Sequence, residues 1–128
     1  MTLIKSISGI RGTIGGKPND NLTPVNVVRF AAAYGTYILS QTSASKAKVI
    51  IGRDARISGS MVQSLVSNTL IGLGIDVIDL GMSTTPTIEM VVPKENAQGG
   101  IIITASHNPK QWNALKLLDA NGEFLSAE

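Results

Sequence analysis

The chain has 128 residues, of which 43% are apolar and 16% charged, with a net charge of +2. This predicts one compact domain with a real core and excludes a disordered tail. Its seven lysines and four arginines are scattered singly, so the clustered basic face that nucleic acid requires is not expected. No cysteine is present, which excludes a disulfide framework and thiolate metal sites. The start "MTLIKSISG" has no apolar stretch of signal-peptide length and no run approaches a membrane span, so a cytoplasmic protein without a membrane partner is expected.

The opening "LIKSISGIRGTIGGKP" carries four glycines within eight residues, and short apolar alternation on either side predicts strand, glycine turn, strand. "LTPVNVVRFAAAYGTYILSQ" predicts a helix with Thr23 as N-cap and Pro24 at its first position. Val27, Ala31, Tyr34 and Ile38 recur on one face of that helix. "KVIIG" follows as a buried strand, then the loop "RDARISGS". A second helix runs to about Leu73, capped by Ser58 or Ser60, with a stripe of Val62, Leu65, Val66 and Leu73. "IDVIDLG" is the next strand. Thr85 and Pro86 open a short helix that Pro93 ends. "GGIIIT" is a third strand, and "ALKLLDANGEFL" a fourth that reaches an Asn121-Gly122 turn and begins to return.

Strands starting near 49, 75 and 100 with helices between them fit βαβ crossovers and parallel strands with helices on both faces. Unalternating apolar runs agree, since such strands are buried on both sides. In open α/β sheets ligands bind beyond the carboxyl ends of the strands. "GRDAR", "GMSTTP" and "TASHNP" lie there, and topology predicts that Arg11, Arg53, Ser106 and Lys116 converge at that edge. The chain stops at "FLSAE", just after a turn, and reads as a fragment of something longer.

Ser106 stands beside His107, the only histidine in the chain. A hydrolase nucleophile is excluded, because the frame is not G-x-S-x-G and adjacent side chains rarely make a good serine–histidine hydrogen bond. A Ser-, Thr- and Asn-rich loop suits an anion, with arginine and lysine completing the clamp. Neither a Walker A motif nor G-x-G-x-x-G is present. The loop reads equally well as a plain turn before proline. Arg53, Asp54 and Arg56 fit a surface ion-pair cluster of little energetic value, the more common case, and alternation in "NALKLL" lets Lys116 simply face water.

"TASHNP" followed by Asn113 and Lys116 resembles the active-site serine loop of the α-D-phosphohexomutases, which include phosphoglucomutase, phosphomannomutase and phosphoglucosamine mutase. "SGIRG" at 8–12 and "GRDARISG" at 52–59 resemble two further motifs of that family, in the same order and spacing. The resemblance implies that residues 1–128 form the first of four domains. The implied fold is a three-layer αβα sandwich with a mixed, mostly parallel sheet and a C-terminal antiparallel hairpin strand.

The resemblance further implies that Ser106 carries a phosphoryl group, gives it to a hexose phosphate to form a hexose 1,6-bisphosphate, and takes back the other phosphate. Lys116 would then be a general acid or base. Arg11 would contact the phosphoserine or its loop, His107 would help orient the site, and Thr104, Asn108 and Arg53 would touch phosphate or substrate. Mg2+ would bind the phosphate of Ser106 together with aspartates of a following domain. The Arg53-Asp54-Arg56 group would support the loop more than act on substrate. The chain departs from the usual pattern at Ser8, Ala114 and Trp112, which bears on the subfamily and not the chemistry. Ala105 favours the phosphoglucosamine mutase branch over members with "TGSHNP". Alone, the fragment is expected to be inactive; the alternative reading is a non-catalytic phosphosugar- or anion-binding module.

Overall fold

The computed structural model describes residues 3–6, 9–42, 46–104 and 111–125. Six strands and three helices follow in the order β1 (Ile4–Ser6), β2 (Gly9–Thr13), α1 (Pro24–Gln41), β3 (Lys48–Arg53), α2 (Gly59–Gly72), β4 (Asp76–Met82), α3 (Thr85–Lys94), β5 (Gly99–Ile103) and β6 (Trp112–Leu118). All strands join one sheet in the order β1-β2-β6-β5-β3-β4. β3 pairs in parallel with β4 and β5, while the β5–β6, β6–β2 and β2–β1 pairs are antiparallel. The sheet is therefore mixed, and β2, β3, β4 and β5 share one direction.

Strand alternation sorts the core into two layers. Val49, Ile51, Ile101, Ile103, Leu115 and Leu117 face Val27, Ala31 and Tyr34 of α1 and Val62, Val66 and Leu70 of α2. Ile50, Ile102 and Leu118 face Ile88 and Val92 of α3. Successive side chains of a strand point to opposite faces, so a continuous apolar run such as "GGIII" is what a strand covered on both faces needs. The result is a three-layer αβα arrangement.

α1 begins as its sequence predicts, with Thr23 as N-cap and Pro24 at the first position. Asn26 Oδ1 accepts from the Thr23 backbone N–H at 3.3 Å and from Thr23 Oγ1 at 2.6 Å, which fixes the chain as it enters the first turn. α2 is shorter on its apolar side than the predicted stripe: Leu65 is half-buried and Leu73 exposed, and the helix ends at Gly72. α3 takes Thr84 as its N-cap, with Thr84 Oγ1 accepting from Thr87 N. Pro93 lies within α3, whose last residue is Lys94; at that position its nitrogen removes one bond of the last turn and the chain still completes it.

The glycine-rich opening folds differently from the expected strand, glycine turn, strand. Gly9 and Gly12 lie inside β2, and only Gly15 and Gly16 follow it as a turn with positive φ. The reason is close approach to β6: a Cβ on Gly9 would stand 2.1 Å from the Leu115 carbonyl oxygen. Gly9→Ala must push β2 away from β6 and is expected to cost about 1–3 kcal/mol, the usual scale of overpacking, with Arg11 displaced two residues on. Chemical denaturation of this chain measures it; an unchanged midpoint would falsify the packing argument. The Asn121-Gly122 turn forms as predicted, with Gly122 at φ 79° and Asp119 Oδ1 accepting from Asn121 N and Glu123 N.

Tyr34 ties α1 to the seam between β5 and β6. Its buried hydroxyl donates to the Leu118 carbonyl at 2.6 Å and accepts from Gly100 N at 3.0 Å. Burial, with lesser help from the Asp119 charge, pushes the phenol above the usual tyrosine range, against the lowering effect of its backbone hydrogen bond. Tyr34→Phe leaves one buried donor and one acceptor unmade, which typically costs about 1–3 kcal/mol. A raised folded-state pKa stabilises the neutral phenol. Its contribution is whole below the unfolded tyrosine value of about 10 and fades as pH rises through the folded value. Thermal melts at neutral pH should show the loss in Tyr34→Phe. Above about pH 10 the stability gap between the two proteins should narrow, and a gap that widens there counts against this account.

Candidate functional site

Register fixes where the predicted site residues stand. Ile10, Leu115, Ile103 and Arg53 pair in one row across β2, β6, β5 and β3. The next row toward the carboxyl edge of β5 holds Arg11, opposite Ala114, and Thr104, whose N–H donates to the Ala114 carbonyl at 3.1 Å. Lys116 lies on the other side of the first row, opposite Gly9 on β2 and Ile102 on β5. Arg11, Ala114 and Lys116 thus occupy the same face as Ile102 and Leu118, the face that carries α3.

α3 packs mainly on β3 and β5, which leaves the β1-β2-β6 part of that face open. A cleft of about 370 Å³ lies there, lined by Ile4, Ser6, Arg11, Ala114, Lys116 and Phe124 among others. Arg11 and Lys116 are diagonal neighbours on adjacent strands, a placement that sets backbones about 7–8 Å apart. Arg11 is exposed and Lys116 half-buried, so both cations are reachable from solvent. Lys116 does stand opposite Leu115 and Leu117, as alternation predicts. It faces this cleft and not a plain solvent surface.

Arg53 does not join them. Its side chain shares the face of Ile103 and lies against Gly59 at the start of α2. There it lines a separate crevice of about 320 Å³ with Ser60, Gln63, Asp79 and other polar residues. Gln63 donates to the Asp79 carboxylate within that crevice. The expected convergence of Arg53 with Arg11 and Lys116 is therefore corrected: Arg53 shares the edge of the sheet with Arg11 but occupies the face opposite to both, because it sits one residue out of step in the alternation.

The rest of the "GRDARISG" segment turns toward the ends of loop 105–110. Asp54 Oδ2 accepts from Thr104 Oγ1 at 2.6 Å and from Arg56 Nε at 3.2 Å. Arg56 Nη1 donates to the Trp112 carbonyl at 3.3 Å, and Asn113 Nδ2 donates to Ser58 Oγ at 2.8 Å. Ser58 is the N-cap of α2 but makes no side-chain cap bond there; its hydroxyl serves Asn113 instead. Thr104 is 9% exposed and its single hydroxyl hydrogen is committed to Asp54, so it has no O–H left for a substrate. The side chains of Asn113 and Ser58, neither singled out as a site from sequence, belong to this network. The signal available was Asn113 itself, which already accompanies the serine-loop motif and proves fully buried in β6. Ser106, His107 and Asn108 lie outside the described residues.

Among the described residues, no group of three or more His, Cys, Asp or Glu could hold a metal ion. No helix among them is long and apolar enough to cross a membrane.

A mixed αβα sheet with a two-cation cleft on one face and a hydrogen-bonded loop stem at its edge defines an α/β domain of the kind that positions a loop beside cations. Residues 3–128 match the family model described as phosphoglucomutase/phosphomannomutase, alpha/beta/alpha domain I, and the chain belongs to that family. It is 40% identical over 119 residues to a phosphoglucomutase/phosphomannomutase of Thermococcus kodakarensis, covering 91% of this chain and 26% of the relative. Identity and coverage are the same for a phosphoglucosamine mutase of Lactococcus lactis. Among solved structures, a Thermus thermophilus protein assigned as a phosphomannomutase superposes with a TM-score of 0.84 at 30% identity, over 99% of this chain and 28% of its own. The chain thus spans about a quarter of the length of the curated relatives it matches.

Proposed function

We propose that this chain is the phosphoryl-carrying domain of a phosphohexomutase that interconverts hexose 6-phosphate and hexose 1-phosphate. The observation that carries the reading is the Arg11–Lys116 pair in an open cleft, Arg11 from β2 and Lys116 from β6, the strand that follows residues 105–110. In the forward step the free sugar hydroxyl attacks phosphorus on phosphorylated Ser106. A new O–P bond forms on the sugar, the Ser106 Oγ–P bond breaks, and the sugar's proton is lost while Oγ regains one. The product is hexose 1,6-bisphosphate. After the bisphosphate reorients, Ser106 Oγ attacks the phosphorus of the other phosphate: an Oγ–P bond forms, that sugar O–P bond breaks, Oγ loses its proton, the sugar oxygen gains one, and the isomer is released.

Serine is a poor nucleophile until its proton is removed, and Lys116 is placed here as the acid or base that handles it. Phosphoryl transfer otherwise needs positioning and positive charge around the oxygens, which Arg11 supplies with a planar fork suited to phosphate. His107 and Asn108 are assigned to orienting the loop. Thr104, its hydroxyl taken by Asp54, is assigned to the loop stem. Mg2+ would be held by the Ser106 phosphate together with residues beyond this chain, and when bound it would neutralise charge on the phosphoryl oxygens. Turnover is assigned to the whole polypeptide. The glucosamine branch is favoured by Ala105, and relatives named phosphoglucosamine mutase support it.

The test is phosphate mapping on the full-length protein incubated with labelled hexose 1,6-bisphosphate. Label is expected on Ser106. Sugar phosphate binding without label on any residue would favour the non-catalytic binding module instead.

A further inference from the structure

The segment 54–58 grips both described ends of loop 105–110. On the β5 side, Asp54 N donates to the Ile103 carbonyl at 3.1 Å and the Asp54 carboxylate accepts from Thr104 Oγ1. On the β6 side, Arg56 reaches the Trp112 carbonyl and Ser58 accepts from Asn113. One carboxylate joins the two halves: Asp54 Oδ1 accepts from Arg56 N at 3.1 Å while Oδ2 accepts from both Arg56 Nε and Thr104 Oγ1. The Arg56 side chain is 12% exposed and that of Asp54 32%, so the pair is partly shielded from water and is no ordinary surface bridge.

We infer that Asp54, acting through Arg56 and Thr104, is a positioning residue for phosphoryl transfer at Ser106. It sets the separation of the two strand ends from which the loop springs. This rests on the reading that Ser106 carries the phosphoryl group. A carboxylate is needed because it accepts at both oxygens and donates at neither. An amide at the same place offers one acceptor oxygen and, because Arg56 donates to both Asp54 oxygens, always turns an N–H toward an Arg56 N–H. In-line transfer is sensitive to placement, and a misplacement near 1 Å costs on the order of 10²-fold. Asp54 and Arg56 do not line the Arg11–Lys116 cleft, so substrate affinity should be spared.

The experiment uses the full-length enzyme and labelled hexose 1,6-bisphosphate. In Asp54→Asn, the rate of label transfer to Ser106 and kcat should both fall about 10- to 100-fold, with KM little changed. Thr104→Val, which removes only the hydroxyl, should show a smaller loss in the same direction, and it decides the matter if Asp54→Asn does not fold. A folded variant that labels Ser106 at the wild-type rate overturns the inference. So does a rise in KM with kcat unchanged, which would make these residues substrate ligands. If the unmutated enzyme labels a residue other than Ser106, the reading beneath the inference fails first, visibly and before any variant is compared.

Discussion

Ser106→Ala in the full-length protein should lose mutase turnover while keeping its fold. The change deletes one oxygen and almost no volume, at a position beyond the last β5 residue. Without Oγ there is no atom to hold the phosphoryl group between the two half-reactions. Losing a covalent nucleophile from a serine hydrolase costs roughly 10⁶-fold, and a comparable collapse is expected here. Two measurements check it together: steady-state turnover, and mapping of label from hexose 1,6-bisphosphate. The label should vanish from the peptide that contains position 106 and appear nowhere else. Near-wild-type turnover in Ser106→Ala would mean that "TASHNP" is only a turn before proline.

The layered fold was legible because its signals are local. Pro24 after Thr23 marks the start of α1, and the apolar runs at 49–52 and 99–103, short and rich in β-branched residues, have the length of strands covered on both sides. The carboxyl edge that Arg11 and Arg53 share, on opposite faces, followed from the same rhythm. What sequence reasoning could not supply was the face. Arg53 and Arg11 look alike in their motifs, yet pairing with Ile103 puts Arg53 beneath α2 while pairing with Ala114 puts Arg11 in the open cleft. A shift of one residue reverses the face, and no local pattern reports the register between β2 and β6, which are joined through about a hundred residues of chain. The role of the glycines was hidden for the same reason: Gly9 is required by the backbone of Leu115, a contact between distant parts of the sequence. The reading of Arg53, Asp54 and Arg56 as a weak surface cluster fails on burial, because Arg56 is largely shielded and bonds to Trp112.

Lys116→Met is the sharper test of how the cleft works. Methionine keeps an unbranched apolar stem of similar reach, so packing beside Ala114 and Phe124 should survive and thermal stability should hardly move. The cation and its exchangeable protons are lost. General acid–base groups typically contribute about 10²–10⁴-fold, and kcat of the full-length enzyme should fall by that order. Lys116→Arg separates the two contributions. Arginine restores the positive charge but stays protonated throughout the usable pH range. If charge beside the phosphoryl oxygens is what matters, Lys116→Arg recovers much of the lost rate; if a proton must be taken up and released at Nζ, it stays close to the methionine variant. Both variants should retain a phosphorylatable Ser106, so slow labelling with a normal end point is expected from each. A Lys116→Met enzyme that turns over normally would show that the half-buried lysine opposite Gly9 is a solubilising side chain, and the proton would then have to be handled by a residue outside the Arg11–Lys116 cleft.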